Sequence, residues 1–137
     1  MLPATGWSPE DNTELRVAIK ECIRVSTDCL KGPRGPIGSW DIYDVTVMKD
    51  LFIEQTAGPN PLPGAHLADA KPLPGADKFN GDLSKWDVLN VVSMQSMFQF
   101  AKSFNADLSK WDVSGVTYTG GMFAMATSFD ADLSKWD

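Results

Sequence analysis

A single histidine, His66, stands in the whole chain, with no cysteine or second histidine near it at metal-ligand spacing. That spacing excludes a zinc site by sequence. One histidine in a Pro-rich stretch also leaves no Ser/His/Asp or Cys/His set to argue nucleophilic catalysis from. Basic residues are outnumbered, 12 Lys and Arg against 18 Asp and Glu, for a net charge of −6. Such a balance argues against nucleic acid, which needs clustered Lys and Arg, and against an anionic membrane surface. No apolar run approaches the roughly 18 residues of a membrane-crossing helix. The opening MLPATGWSPEDN has neither a basic nor an apolar signal region, so no signal segment is expected in this chain. The Gly-rich steps GPRGP and TGG lack the lysine of a phosphate loop. No catalytic, cofactor or metal residue is expected, and the chain does not read as an enzyme.

Cysteine is scarce too. Cys22 and Cys29 lie seven apart. Two readings compete. Seven residues is almost two helical turns, which would leave two buried thiols on one helix face. Ser26, Thr27 and Asp28 between them look like a helix end and a turn, which favours a local disulfide. The disulfide is the reading adopted. It implies an oxidising compartment, the cell surface, the extracellular space or an organelle lumen.

What the chain does have is a repeat. Phe79, Phe104 and Phe129 are spaced by 25, as are Leu83, Leu108 and Leu133, and Trp86, Trp111 and Trp136. Val88/Val113, Val91/Val116, Met97/Met122, Phe98/Phe123 and Ala101/Ala126 keep the same step. A fixed period of this length falls in the leucine-rich-repeat range, and such units bury their apolar faces only against stacked neighbours. Within a unit, Trp86 and Val88 alternate about Asp87 as in a strand. From Val91 onward, Met94, Met97, Phe98 and Ala101 run at helical or 3₁₀ spacing. The expected fold is therefore an α/β repeat solenoid, leucine-rich-repeat-like, with short parallel strands plus short helices. Identical residues should then sit about 4.8 Å apart between stacked strands.

An N-terminal capping helix precedes it. Ser8 can cap and Pro9 suits the first helical position. Leu15, Ala18, Ile19, Cys22 and Ile23 form one apolar face, giving a helix over about residues 9–25. The domain reading is a cap over 1–38 and a solenoid over 39–137. A divergent first coil spans 39–52, where Trp40, Ile42 and Val45 match Trp86, Val88 and Val91. A Pro/Gly-rich insert spans 53–75, and repeats fill 76–137. The insert carries PLPGA twice and reads as an extended loop outside the solenoid.

The pattern FN-x-DLSKWDVS-x-V followed by M-F-x-x-A-x-S-F resembles the BspA-like leucine-rich repeats of bacterial surface proteins, a family also expanded in unicellular algae. GPIGSWDIYDVTVMKDLF is similar to the coil that begins such arrays, and the helix with Cys22 and Cys29 to its leader segment. The resemblance covers about residues 13–52 and 76–137. It implies a right-handed leucine-rich-repeat solenoid, and surface attachment or protein binding rather than catalysis. The chain departs from the pattern in its 21-residue insertion, in Leu89 and Val92 where Ser and Thr are usual, and at Asp137, inside a coil.

Three residue rows invite function. Asp82, Asp107 and Asp132 form one row, and Asp87, Asp112 and Asp137 another. They would suit calcium between coils or, as the reading preferred, backbone N–H groups of turns. The Trp row could be a glycan strip; its register with Leu and Val favours a core ladder. The last coil leaves Phe123, Met125, Phe129, Leu133 and Trp136 uncovered, which suits association. The function expected is a non-catalytic protein–protein interaction module, an accessory or scaffold subunit of a larger assembly. The alternatives are a surface adhesion domain and a calcium- or glycan-binding module. Candidate partner-binding residues are Phe129, Leu133, Trp136, Pro61, Leu62, Pro63, Pro72, Leu73 and Pro74. The partner is expected to be a heterologous protein, with no nucleic acid, no transmembrane segment of its own and, at most, peripheral association with a membrane complex.

Overall fold

The computed structural model describes residues 7–54 and 71–136. One α-helix, α1 (Asn12–Val25), is followed by a two-stranded antiparallel sheet of β1 (Ile53–Glu54) and β2 (Lys71–Pro72). Short 3₁₀ turns lie at Ile37–Ser39 and Ala76–Lys78, and the rest of the described chain is turns and irregular backbone. This corrects the expected α/β repeat solenoid: the described residues hold neither a parallel sheet nor a helix within a repeat. Parallel pairing is confined to single bridges, Val47 with Ser93 and Ser93 with Tyr118.

The reason lies in what produces a spacing of three. Successive β-turns bring residues i and i+3 together just as a helical turn does. The amide of Trp86 donates to the Leu83 carbonyl, Val91 to Val88, Met97 to Met94, Ala101 to Phe98 and Phe104 to Ala101. Apolar residues thus mark turn corners, and the chain between them never extends long enough to make a strand. Positive φ at Asp50, Ser96 and Gly121, which occupy the same place in successive units, bends the backbone too sharply for a helix.

The repeat itself is real in space. Phe79 stacks on Phe104 at 5.9 Å between centroids, Phe104 on Phe129 at 6.0 Å, Phe98 on Phe123 at 5.6 Å and Trp111 on Trp136 at 6.3 Å. These offset-stacking distances exceed the 4.8 Å expected of strand ladders, because ring packing sets the spacing here rather than a continuous sheet. Trp86 and Trp111 are buried. Their indole N–H groups donate back one unit, Trp86 to the Ile37 carbonyl at 2.8 Å and Trp111 to the Leu83 carbonyl at 2.9 Å. Trp136 repeats the contact on Leu108 at 3.2 Å. The Asn80 side chain likewise accepts the Asn105 amide, and the Asn105 side chain that of Asp130, both at 2.7 Å.

α1 starts three residues later than Ser8-Pro9 suggests, because Asp11 is the cap: its carboxylate accepts the Glu14 amide at 3.0 Å. Its buried face is Leu15, Ala18, Ile19, Cys22 and Ile23, the five residues the periodicity marks. They share one apolar core with Trp40, Phe52, Leu83 and the residues that follow. Cys22 and Cys29 are disulfide-bonded, closing the turn at the helix end. Gly32 packs against that helix so closely that a Cβ there would lie 2.9 Å from the Cys22 Cβ.

The Pro/Gly-rich insert joins the fold at both ends. Ile53 and Leu73 are buried, β1 pairs with β2, and the Leu73 amide donates to the Phe52 carbonyl. Its first and last residues thus belong to the core rather than lying outside it. The stretch that holds Pro61, Leu62, Pro63 and His66 lies outside the described residues, as does Asp137.

Truncating the middle tryptophan should be costly. Trp111→Ala removes a buried ring and strands the Leu83 carbonyl contact, and is expected to cost about 3–5 kcal/mol of unfolding free energy. Denaturant unfolding of the variant measures this. A loss under about 1 kcal/mol would mean that the Trp row is peripheral.

Candidate functional site

The amides of Val92, Ser103, Thr117 and Ser128 donate back to the carbonyls of Thr46, Asp77, Val92 and Lys102 in the preceding unit, whereas those of one edge run forward. Along residues 94–100, the amides of Met94, Ser96, Phe98 and Phe100 donate forward, to the carbonyls of Tyr118, Gly120, Met122 and Ala124, at 2.8–3.0 Å. One unit earlier, the amides of Met48 and Asp50 donate forward to Ser93 and Gln95 at 2.8 and 3.1 Å. On this edge each unit shows N–H groups to the next and carbonyls to the previous one. Two of these donors, Ser96 and Phe100, have positive φ.

At the N-terminal side the carbonyl edge is capped by α1. The Asn12 side-chain amide donates to the carbonyls of Val47 and Lys49 at 3.0 and 3.1 Å, and Arg16 to that of Ile53 at 2.8 Å. These are the positions that, in later units, accept backbone amides. Burial holds the Arg16 guanidinium below its ordinary pKa, partly offset by attraction to Asp50. Burial pushes the Asp50 carboxyl up, against the pull of Lys49 and Arg16.

At the C-terminal side the described residues hold no following unit. The amides of Thr119, Gly121, Phe123 and Met125 correspond to the four forward donors of the preceding unit and find no acceptor among the described residues. The apolar side chains beside them are half-covered. Phe98, Phe104 and Leu108 are fully buried, whereas Phe123, Phe129 and Leu133, 25 residues on, are only partly so, as is Trp136. Met125 is 54% exposed. A depression of 390 Å³ lies there, lined by Thr119, Gly121, Met122, Phe123, Ala124 and Trp136.

The structure therefore gathers Phe129, Leu133 and Trp136 on one open face. Pro72 and Pro74 are exposed on the far side of the insert, but Leu73 between them points into the core and is no contact residue. Pro61, Leu62 and Pro63 lie outside the described residues. A second, smaller depression of 170 Å³ between α1 and β1 includes Arg16, Lys20 and Glu54. Residue types do not reveal the donor edge, because it is made of main-chain groups. The one signal is Gly120-Gly121, which reads only as turn chemistry.

The Asp rows are occupied by turns. Asp82 accepts the Ser84 amide, Asp87 that of Leu89, Asp107 that of Ser109, Asp112 that of Ser114 and Asp132 that of Ser134, at 2.8–3.1 Å. The side chain and then the backbone of Ser84, Ser109, Ser114 and Ser134 hold Asp82, Asp107, Asp112 and Asp132 below the usual carboxylate range. The buried Trp86 and Trp111 offer no glycan strip.

Comparison with known proteins adds one match. Residues 70–137 are similar to the family described as "Mycoplasma protein of unknown function, DUF285". No curated protein and no solved structure matches the chain. Among the described residues, no helix is long and apolar enough to cross a membrane. The disulfide is compatible with an oxidising compartment.

The Asp turns give a pH dependence with a definite sign. The Asp82, Asp107, Asp112 and Asp132 carboxyls titrate lower folded than unfolded. Their stabilisation is present above the unfolded value, near ~3.9, and is lost as pH falls through the folded value. Asp107→Ala should lower the melting temperature at pH 7 by a few degrees. Asp107→Asn should lose less, since its amide oxygen can accept the same N–H. The gap between Asp107→Ala and the parent chain should narrow below about pH 4, as read by melting curves across pH 2–7.

Proposed function

We propose that the chain is a non-catalytic protein-binding module, an accessory or scaffold subunit that docks a heterologous protein on its C-terminal face. One observation carries this reading: Phe123, Phe129 and Leu133 are half-covered where their counterparts Phe98, Phe104 and Leu108 are sealed by the following unit. Contiguous apolar surface beside unpaired backbone favours association. The net charge of −6 makes a protein partner a better fit than a polyanion. The resemblance to BspA-like repeats supports a binding role at a surface, and the disulfide suits such a place.

A photo-reactive residue at Thr119 in the otherwise native chain tests it. The expected result is a cross-link to one other protein, reduced at least tenfold by Met125→Asp and by Trp136→Asp. Val25→Asp, at a site 58% exposed on α1, should leave it unchanged. Met125→Asp guards against loss of folding, since that side chain is already largely in solvent. A cross-link insensitive to both face variants would contradict the proposal.

A further inference from the structure

We infer that the flank of the stack formed by Tyr43, Val47, Leu89 and Val92 docks a basic segment of a protein partner. The Lys or Arg side chains of that segment meet Asp41, Asp44 and Asp87, and its apolar side chains cover the strip. The four strip residues are 37–46% exposed. None of that exposure comes from where the sequence stops. The corner at 89–92 already lies against the corner at 43–47: the Asn90 side chain donates to the Tyr43 carbonyl at 3.0 Å, the Val92 amide to the Thr46 carbonyl at 2.8 Å, and Val47 bridges Ser93. The corner at 114–118 lies in turn on 89–92. The amides of Thr117 and Tyr118 donate to the Val92 carbonyl, and a Cβ at Gly115 would lie 3.3 Å from the Leu89 carbonyl oxygen. The strip is thus exposed although its units are stacked. It is a different face from 119–125, and it stands whatever covers that end.

The fold does not ask for apolar residues there. Leu89 and Ser114 hold the same place in successive units and make the same turn, the amide of each donating to the Asp two residues before it. Val92 and Thr117 also share a place, and the amide of each donates to the preceding unit. Ser and Thr therefore satisfy this backbone. Leu and Val add only apolar surface in water, which is unfavourable unless something covers it. The charge around the strip names the occupant. Asp41, Asp44, Asp87 and Asp112 are exposed, and none is in an ion pair among the described residues. Asp41 and Asp87 accept the amides of Tyr43 and Leu89, so each carboxylate stands beside one residue of the strip. Lys85 and Lys110 act on the other row, Asp82 and Asp107, and Lys49 acts on Asp50. Carboxylates beside apolar side chains suit Lys or Arg with apolar neighbours. Two copies of the chain meeting flank to flank would bring like charges together, and nucleic acid or an anionic membrane would be repelled.

Selection from a library of random peptides on the full chain tests the inference. The expected result is enrichment of peptides that combine net positive charge with Leu, Val or aromatic residues. The most enriched peptide, made synthetically, is then titrated by fluorescence anisotropy. It should bind at least tenfold more weakly to the variant carrying Leu89→Ser and Val92→Thr, and to the variant carrying Asp41→Asn and Asp87→Asn. The first pair copies the residues at 114 and 117, and Asn keeps an acceptor for each turn, so both variants should retain the fold, which melting curves check. Binding should weaken as salt rises, and Val25→Asp on α1 should leave it unchanged. Enrichment of neutral or acidic peptides, no enrichment, or binding that survives both flank variants overturns the inference. Binding lost with Trp136→Asp but with neither flank variant also overturns it, since the peptide would then sit on the other face. So does a dimer of the parent chain that Leu89→Ser with Val92→Thr makes monomeric, since the occupant would then be a second copy. None of these results touches the docking role proposed above, which stands or falls on the cross-link and its face variants.

Discussion

Along the 94–100 edge alternate amides donate to the following unit, while those of Val92, Ser103, Thr117 and Ser128 donate to the preceding one, and this bonding between units governs the rest of the structure. It requires something to satisfy carbonyls at one end and amides at the other. α1 meets the first need. Its apolar face packs on the core, and Asn12 and Arg16, half-buried at its flank, place donors on the three carbonyls that no earlier unit reaches. Buried or semi-buried backbone groups are rarely left unpaired, so the helix serves as a matched cap as well as a lid. Nothing among the described residues does the same for the amides at the other end.

Side chains fix the register of this ladder. Phe rings stack at the 25-residue step, and indole N–H groups reach back to the preceding Leu carbonyl. A slip by one residue would unseat both rows at once. The Asp turns then hold the corners without joining one unit to another: each carboxylate accepts an amide two residues ahead in its own unit. Stability and specificity are thus divided, with aromatic packing supplying burial and polar groups supplying position.

Much of this can be read from the sequence and some cannot. The apolar face of α1, the Cys22–Cys29 bond and the register of Leu, Trp and Phe follow from spacing, because side-chain identity determines them. The Asp rows show their turn role through the Ser or Leu two residues on. The strand-and-helix reading of each unit fails because a step of three does not separate a helix from consecutive β-turns, and because Ser96 and Phe100 adopt left-handed backbone where glycine would have signalled it. Leu73 looks like a loop residue between two prolines yet enters the core, since pairing of β1 with β2 turns it inward. The open donor edge is invisible for a simpler reason: every residue carries an amide, and only its direction matters.

The direction of bonding at the N-terminal cap is the claim on which the account rests, and Asn12 isolates it. Asn12→Asp swaps a donor for an acceptor at the first residue of α1. Helix-dipole electrostatics alone predicts a gain of about 0.3–1 kcal/mol, since a negative charge suits a helix N-terminus. Bonding polarity predicts the opposite sign, because the carboxylate would face the Val47 and Lys49 carbonyls: a loss of about 1–3 kcal/mol, exceeding that of Asn12→Ala. Denaturant unfolding of the two variants at pH 7 decides between them. Asn12→Asp less stable than Asn12→Ala supports the capping of a carbonyl edge, and Asn12→Asp as stable as the parent chain or more so contradicts it.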